Sequence, residues 1–343
     1  MLQTTTYLPT VFFAPENPNK SAANFKLNYR GAFGRILSPG QTCNGVIVMN
    51  IKAKALLRSF RNKLLNWFAE GLIETGGPSP AKAAQQVLYQ TFRNMASDGK
   101  RPLPRFDDVG FRCHSQFEED GILLYIFALI GTTNKKVVEI CASNGIECNA
   151  ANLILNHGWW GYLFDGCPRS VARGREFYSI SRDSWLFPPR FEQAWITAEN
   201  INTLLTGAGV SGEIDLLSLD IDGVDYWVLA ALEAVRPRVI VCEINNLCPS
   251  DASITVPYAP DFRMPVQDFY GASLSAMTGL ARKKGYRLVG TNRYGNNAFF
   301  VRNDCGEQFL PEVDPSSCQK DPYTEDARKN RWPKVKDLNW VKV

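Results

Sequence analysis

The stretch from Val137 to Gly166 constrains the fold of this chain more than any other part of the sequence. A β-branched run leads into a short turn of small residues, and a helix-patterned segment then precedes a second apolar run that closes on Asp165. This order predicts a strand–turn–helix–strand unit of a doubly wound α/β fold. In such folds the first turn approaches a ligand, and an acid about 20 positions later binds ribose hydroxyls. Gly145 and Asp165 are 20 positions apart, although an ordinary buried unit with a solvated aspartate is an alternative interpretation.

The composition of the turn bears on which ligand it could hold. Between Cys141 and Gly145 there is one glycine, whereas a dinucleotide fingerprint is rich in glycine. A pyrophosphate requires several backbone amides at close range, but S-adenosylmethionine carries no phosphate. The turn and the two acids Glu139 and Asp165 therefore favour S-adenosylmethionine, and a nicotinamide dinucleotide is the weaker alternative.

Length and composition exclude several classes of protein. A chain of 343 residues with 45% hydrophobic and 21% charged residues can bury a large core. Its net charge of +4 is too small to predict nucleic-acid binding. Nine cysteines without a Cys-x-x-Cys pair predict reduced thiols and a cytoplasmic location. The longest apolar run, Ile122 to Ile130, is too short for a transmembrane helix, and we expect no secretory signal.

The pattern along the chain divides it into three regions. Residues 1–105 combine an irregular N-terminal segment with a helical extension, residues 106–305 alternate strands and helices, and residues 306–343 form a polar C-terminal tail. Within the first region, residues 51–72 predict a basic amphipathic helix. Such a helix could make a peripheral contact with an anionic membrane or pack as an ordinary surface helix. The sequence indicates no oligomeric state.

Two predicted strands in the second region end in acids. Ile214 to Leu219 predicts a buried strand that is followed by Asp220 and Asp222, and the next predicted strand reaches Glu243. Because open α/β sheets bind ligands at the carboxyl ends of their strands, we expect these side chains to face one site. Asp222 and Glu243 are the candidate general bases.

Other roles for these acids stay open. With Asn245 they could hold a divalent cation, because hard oxygen ligands suit such ions and a bound cation lowers the pKa of a hydroxyl. They could instead cap helices or form ion pairs with Arg293 or Arg302.

Two more segments have a possible place at the site. His114 is a further candidate base, but it precedes a predicted helix start where Ser115 and Glu118 have capping-box spacing, and a histidine there is more often a satisfied polar group. The connection from Leu247 to Tyr270 contains four prolines. A connection of this length predicts a lid or substrate loop.

Strand–helix units followed by a terminal pair of strands predict the fold class. This is the element order of a doubly wound, mainly parallel, seven-stranded class I methyltransferase sheet, which is Rossmann-like and has its last strand reversed. The helical extension would precede this sheet.

Five motifs together make residues 106–305 resemble the FkbM-type family of S-adenosylmethionine-dependent methyltransferases, in particular its poorly characterised bacterial branch. The motifs are SQFEEDGI, VVEICASNGIECNAANLI, HGWWGYLFDG, DLLSLDIDGVDYWV and GYRLVGTNRYGNNAFFVRN. The resemblance implies O-methylation of a hydroxyl on a small-molecule or glycan acceptor, such as a sugar, a glycan or a secondary metabolite.

The resemblance also implies a set of cofactor contacts. The turn after the first strand would surround the methionine part of S-adenosylmethionine, Asp165 would bind the ribose, and Asp220 would lie on the sulfonium side. The implied contacts are Gln116, Glu139, Cys141, Ala142, Ser143, Gly145, Asp165, Gly166 and Asp220.

One departure from the family pattern concerns the turn. Family members usually carry a glycine and often an acid where this chain has Ser143 and Asn144. Serine still permits a close turn, so we expect cofactor binding to survive.

The alternative hypothesis to an enzyme is a non-catalytic cofactor-binding or scaffolding protein on a degenerate methyltransferase fold.

Overall fold

A seven-stranded sheet organises residues 80–343, the part of the chain that the computed structural model describes. The predicted irregular segment and the predicted basic helix over 51–72 lie outside the described residues. The strands follow the order β3-β2-β1-β4-β5-β8-β7 across the sheet. Their bounds are β1 Lys136–Ile140, β2 Trp160–Asp165, β3 Arg190–Gln193, β4 Gly212–Leu219, β5 Val235–Glu243, β7 Tyr286–Thr291 and β8 Asn297–Arg302.

The directions of the strands identify the fold class. Strands β1 to β5 of this sheet pair in parallel, whereas β8 pairs antiparallel with both β5 and β7. The chain adds strands toward one edge of the sheet up to β3 and then, from β4 onward, toward the other edge. A parallel sheet with this strand order and with one antiparallel strand next to its edge is the class I methyltransferase sheet, as the sequence predicts. A separate short ribbon pairs β6 Ile254–Thr255 with β9 Val341–Lys342.

Helices cover both faces of the sheet. Their bounds are α1 Pro80–Asp98, α2 Phe106–Val109, α3 Glu119–Ile130, α4 Asn149–His157, α5 Pro168–Ile180, α6 Ile201–Gly207, α7 Asp225–Ala231, α8 Leu274–Lys283 and α9 Pro322–Arg331. Alternate strand residues enter different cores: Val137 packs with α3, α4 and α5, and Val138 packs with α6, α7 and α8. The strands are apolar on both faces because both faces are covered. Every helix among the described residues is too short or too polar to span a membrane.

The start of α3 differs from the predicted capping box. The helix begins at Glu119, and Ser115 forms its reciprocal bonds with Asp120 instead of Glu118. The Asp120 carboxylate also accepts hydrogen bonds from the backbone N–H groups of Cys113 and His114, at 2.7 and 2.6 Å. A buried carboxylate that holds this incoming loop therefore displaces the pairing with Glu118, whose side chain accepts a bond from the backbone N–H of Arg293.

Two element boundaries also differ from the sequence prediction. The sequence predicts a short strand at residues 193–196, and the structure places this strand at Arg190–Gln193. The sequence also predicts a helix over residues 224–234 and a following strand from residue 238. This helix ends at Ala231, because the Asn202 side chain accepts bonds from the backbone N–H groups of Glu233 and Ala234, each at 2.8 Å. Strand β5 consequently starts earlier than expected, at Val235.

The sequence of the C-terminal tail predicts a final helix and two anchors to the core, Trp332 and Trp340, and both tryptophans pack on the core in the structure. The Trp340 ring lies 4.7 Å from that of Phe269 and 5.7 Å from that of Trp332, measured between ring centroids. The predicted final helix is α9.

Candidate active site

A cavity of about 900 Å³ opens at the carboxyl edge of the sheet. Segments that follow β1, β2, β3, β4 and β5 all contribute to its lining, so it lies where open α/β sheets bind ligands. Many of the predicted site residues line it together, namely Gln116, Cys141, Ser143, Asp165, Gly166, Asp220, Asp222 and Glu243.

The turn after β1 is held in an unusual backbone conformation. Cys141 has a φ of 62° and Ser143 a φ of 50°, both in the left-handed region that glycine adopts most readily. Such residues cost on the order of 1–3 kcal/mol each, and they cluster at functional sites. The serine that replaces the usual glycine of the resembled family thus occupies a position with glycine-like backbone geometry.

Asp165 links the turns that follow β1 and β2. Its Oδ2 accepts a hydrogen bond of 2.8 Å from the backbone N–H of Ser143, and its Oδ1 accepts one of 2.7 Å from the backbone N–H of Cys167. A carboxylate has about four lone-pair sites, so both oxygens keep acceptor capacity toward the cavity. The side chain can therefore shape the rim and bind ligand hydroxyls at once.

Four predicted site residues lie outside the lining of this cavity. The buried Glu139 carboxylate accepts bonds from the N–H groups of Asn149 and Ala150, which begin α4, and from the Ser218 hydroxyl. Burial, opposed by these bonds, raises the pKa of Glu139 to about 7. Its contacts within the protein are those of a carboxylate that holds a helix start, and its predicted cofactor contact stays a prediction.

The other three of these residues also have local packing roles. Ala142 is buried, with its N–H bonded to the Phe164 carbonyl at 2.9 Å. Gly145 has a φ of 70°, and a Cβ there would lie 3.0 Å from Leu163 and Phe191 side-chain atoms. His114 places Nδ1 3.2 Å from the carbonyl oxygen of Ile146. The cofactor roles of Ala142 and Gly145 and the base role of His114 stay predictions.

Three carboxylates meet on the β4–β5 side of the cavity. Asp220, Asp222 and Glu243 each offer a carboxylate oxygen, and these oxygens lie within 4.8 Å of one another. Burial, with the charge of Asp222, raises the pKa of Asp220 to about 6. Burial and the charges of Asp220 and other neighbouring acids raise the pKa of Glu243 well above its ordinary range, and Glu243 Oε2 is buried without a hydrogen-bond partner.

A fourth acid, which the sequence interpretation missed, supports this cluster. Asp225, at the start of α7, accepts bonds from the backbone N–H groups of Ile221 and Gly223 at 2.8 and 3.1 Å. It thereby fixes the turn in which Asp222 has a φ of 57°. Burial and the charge of Asp220 raise the pKa of Asp225 to about 7. The run Asp220-x-Asp222-x-x-Asp225 is the sequence signal that could have revealed it.

The structure rejects one of the alternatives that the sequence left open. Arg293 pairs with Asp321 at 2.8 Å, and Arg302 pairs with Glu213 and Asp304, so neither arginine neutralises the three acids. Asn245 lies outside the cavity lining, and its role as a cation ligand stays a prediction. Its side chain is buried, donates to the carbonyls of Asp268 and Tyr270, and accepts from the backbone N–H of Leu247.

The predicted substrate loop contributes to the cavity wall. Pro260, Phe262, Arg263 and Met264 line the cavity opposite the sheet edge. The Trp195 indole N–H donates to the Pro260 carbonyl at 2.7 Å, and the Arg263 guanidinium lies 4.0 Å from the centroid of the Trp195 ring. Sequence reasoning missed Trp195 and Arg263 because only the folded loop brings them together.

Comparisons with solved structures give class I methyltransferases at low sequence identity. The chain is similar to the N-terminal domain of EvdMO1, solved in the presence of SAH and D-fucose, with 12% identity, a TM-score of 0.36, and 62% of this chain and 94% of that chain covered. For the O-methyltransferase from Bacillus cereus in complex with SAH the values are 11%, 0.37, 68% and 94%. For the methyltransferase domain of bacterial-CtHen1-C they are 13%, 0.36, 53% and 96%.

No protein-family model and no curated protein matches the sequence. The fold class is shown by the order and direction of the strands described above.

Proposed function

We propose that this protein is an S-adenosylmethionine-dependent methyltransferase that methylates a hydroxyl group on a sugar, a glycan or a secondary metabolite, and that it belongs with the FkbM-type enzymes its motifs resemble. One observation carries the proposal. A single cavity at the carboxyl edge of a class I sheet is lined both by Asp165, which ends β2, and by the acid cluster of Asp220, Asp222 and Glu243.

The residues on the β1–β2 side fit the cofactor. Asp165 would accept bonds from the ribose hydroxyls, and the turn with Cys141 and Ser143 would lie along the methionine part. Gly166 allows the Trp195 ring to pack close to the backbone, since a Cβ at Gly166 would lie 3.0 Å from a Trp195 ring atom. The exposed part of the Trp195 indole would then contact the base of the nucleoside. When bound, the cofactor supplies an electrophilic methyl group on its sulfonium.

The acid cluster would act on the acceptor. Methyl transfer requires an aligned hydroxyl and a group that takes its proton. Asp222 is the most exposed of the three acids, and Glu243 lies beside Asp220 with a raised pKa. A raised pKa makes the ionised Glu243 carboxylate a stronger proton acceptor. Asp222 and Glu243 are therefore the proposed bases, and His114, which is outside the cavity lining, ranks behind them.

A divalent cation is a second version of the same mechanism. The three carboxylates present hard oxygen atoms at ligand-to-ligand spacing, and one of these, Glu243 Oε2, lacks a partner within the protein. A cation there would lower the pKa of the acceptor hydroxyl. In that case a chelator abolishes methyl transfer, and added magnesium or manganese restores it. An unchanged rate in the chelator removes the cation from the mechanism.

Titration calorimetry with S-adenosylmethionine, S-adenosylhomocysteine and NAD tests the cofactor assignment. We expect saturable binding of the first two and none of NAD. Binding of NAD alone would contradict the proposal. A screen of sugars and glycans with methyl-labelled cofactor then tests the reaction, and cofactor binding without transfer to any acceptor would favour the non-catalytic alternative.

The cysteines among the described residues are unpaired, which supports the expected cytoplasmic location.

A further inference from the structure

A second surface of the molecule lies at the opposite edge of the sheet from the cavity. Trp160 begins β2, whereas Asp165, at the other end of the same strand, lines the cavity. Four large apolar side chains on the neighbouring segment from Ile180 to Phe187 are, like Trp160, more than half exposed. This aromatic patch consists of Trp160 (55% exposed), Ile180 (60%), Trp185 (58%), Leu186 (63%) and Phe187 (65%).

The exposed side chains stand on an ordered turn. The backbone N–H of Trp185 donates to the Ser181 carbonyl at 2.8 Å, and that of Phe187 donates to the Ser184 carbonyl at 2.9 Å. The buried Ser184 hydroxyl donates to the Tyr178 carbonyl, and the rings of Phe187 and Trp160 lie 5.6 Å apart. The ordered turn therefore holds these apolar side chains in water, and exposed apolar surface of this kind marks an interaction site.

Cations border the patch. Lys136 pairs with Trp160 across the β1–β2 ladder, and the Lys135 carbonyl accepts the Trp160 N–H at 2.8 Å. Arg182 is exposed on the patch turn itself. The neighbouring acid, Asp183, is paired with Lys82 at 3.3 Å. The charge beside the apolar groups is consequently positive on balance.

A groove next to the patch adds apolar depth. It has a volume of about 460 Å³, and its walls include Leu124, Phe127 and Trp159. Lys135 stands at the same groove, as does Lys82, whose charge is paired with that of Asp183. Exposed tryptophans, an apolar recess and surrounding lysines are the combination that binds at the headgroup level of a bilayer with anionic lipids.

We propose that the aromatic patch, with the lysines beside it, docks the protein on a membrane surface that contains anionic lipids. A protein partner is less well matched, because cations border much of the patch and no free acid accompanies them on its turn. Docking through this edge leaves the cavity at the other edge open to acceptors in solution, so the surface is independent of the proposed methyl transfer. It is also distinct from the helix predicted over residues 51–72.

Sedimentation of the full chain with lipid vesicles tests the proposal. We expect binding to phosphatidylcholine vesicles that contain phosphatidylglycerol and weak binding to phosphatidylcholine alone. The double variant Leu186→Ser with Phe187→Ser should bind about tenfold more weakly or worse, because two apolar groups no longer enter the bilayer. Tyr323→Ser is the matched control, since Tyr323 is also 60% exposed but lies on α9, outside the patch.

A charge variant separates the two components of the surface. Lys136→Gln should weaken binding to the anionic vesicles by about fivefold and leave binding to neutral vesicles unchanged. Equal binding by the parent and the double variant would overturn the proposal and place any membrane contact elsewhere in the chain. Failure of the parent to bind vesicles, with self-association that the double variant loses, would also overturn it and make a second protein copy the occupant.

Discussion

Strands β4 and β5 carry charged residues at both of their ends. The charges at the amino end have opposite signs, whereas those at the carboxyl end are all carboxylates. At the amino end, Asp215 of β4 faces Arg238 of β5 at 3.0 Å, and both side chains are buried. At the carboxyl end, Asp220 follows β4 and Glu243 closes β5, and their charged neighbours are other carboxylates. The same pair of strands thus holds one neutralised charge pair and one cluster of like charges.

The amino end is saturated with hydrogen bonds. Asp215 accepts bonds from the backbone N–H groups of residues 133, 134 and 135, and Arg238 donates to the carbonyls of Ile130 and Gly131. Burial alone would raise the pKa of Asp215, but these N–H groups and the Arg238 guanidinium lower it on balance. A carboxylate with a lowered pKa stabilises the folded protein at neutral pH.

The carboxyl end shows the reverse shift. Burial and mutual repulsion raise the pKa values of Asp220, Asp225 and Glu243. Groups in this state destabilise the fold once they ionise, and perturbed acids in a cleft are typical of functional sites. The difference separates a part of the sheet whose charges stabilise the fold from a part whose acids destabilise it when ionised.

Substitutions that neutralise an acid at the carboxyl end should have the largest effect. Asp222→Asn or Glu243→Gln should lower the rate of methyl transfer by roughly 100-fold to 10,000-fold, because a general base contributes about that much. Cofactor affinity should stay near that of the parent, and the free energy of unfolding should not fall, because neither variant removes a stabilising charge. Initial rates with labelled cofactor, calorimetric titration and urea unfolding measure the three quantities.

Glu213→Gln is the matched control for these variants. Glu213 is an acid at the amino end of β4, the strand that Asp222 follows. It should keep full activity. Full activity in both amide variants of the carboxyl end would exclude the two acids as bases and make His114 the next candidate.

Disrupting the amino end should have the opposite profile. Arg238→Met leaves Asp215 buried without its ion pair, and the loss of one partner of a buried pair costs about 3–5 kcal/mol. We expect the free energy of unfolding to fall by that amount in urea titrations, while the cofactor affinity of the remaining folded protein is unchanged. The double variant Asp215→Asn with Arg238→Met should regain part of the stability. A single variant as stable as the parent would refute the assigned role of the pair.

Asp165 shares a property with each end. It accepts hydrogen bonds from two turns, as Asp215 does from its loop, and it lines the cavity, as the acid cluster does. Asp165→Ala should weaken binding of S-adenosylmethionine by about 1.5–3 kcal/mol, the contribution of a charge-assisted hydrogen bond. Asp165→Asn keeps an acceptor for the backbone N–H of Ser143 and should lose less. Calorimetry measures both affinities, and parental affinity in the alanine variant would make Asp165 a purely structural residue.

The carboxyl end could be predicted from the sequence because strand order alone places it. Asp165, Asp220 and Glu243 each end a strand, and parallel strands bring their carboxyl ends to one edge whatever their exact register. The pair Asp215–Arg238 was missed, since it depends on the register of β4 against β5 and on a loop that turns its N–H groups toward the carboxylate. Contacts of this kind are set by tertiary packing.

The predicted lid or substrate loop and the start of α3 could be predicted from the sequence only in part, for the same reason. The length and proline content of residues 247–270 predict a loop over a site, but the stacking of Arg263 on Trp195 requires two loops to fold together. Capping-box spacing at Ser115 and Glu118 was present in the sequence, yet the buried Asp120 took the position. A local motif yields when a neighbouring group satisfies more buried N–H groups.

The smallest effect that we expect is a pH dependence that distinguishes the two ends by sign. Asp220 binds its proton more tightly in the folded protein, with a pKa of about 6, than at its ordinary value of 3.8. Its favourable contribution is therefore complete below about pH 4 and is lost as the pH rises through about 6, whereas the lowered pKa of Asp215 makes its contribution disappear only as the pH falls below about 4. The stability of Asp220→Asn relative to the parent should consequently be greater at pH 8 than at pH 5, by about 1–2 kcal/mol. The groups left unchanged, including His157 with its lowered pKa, contribute similarly to both proteins. Urea unfolding at the two pH values measures the difference, and a relative stability that is no greater at pH 8 than at pH 5 would show that Asp220 holds the fold together as Asp215 does.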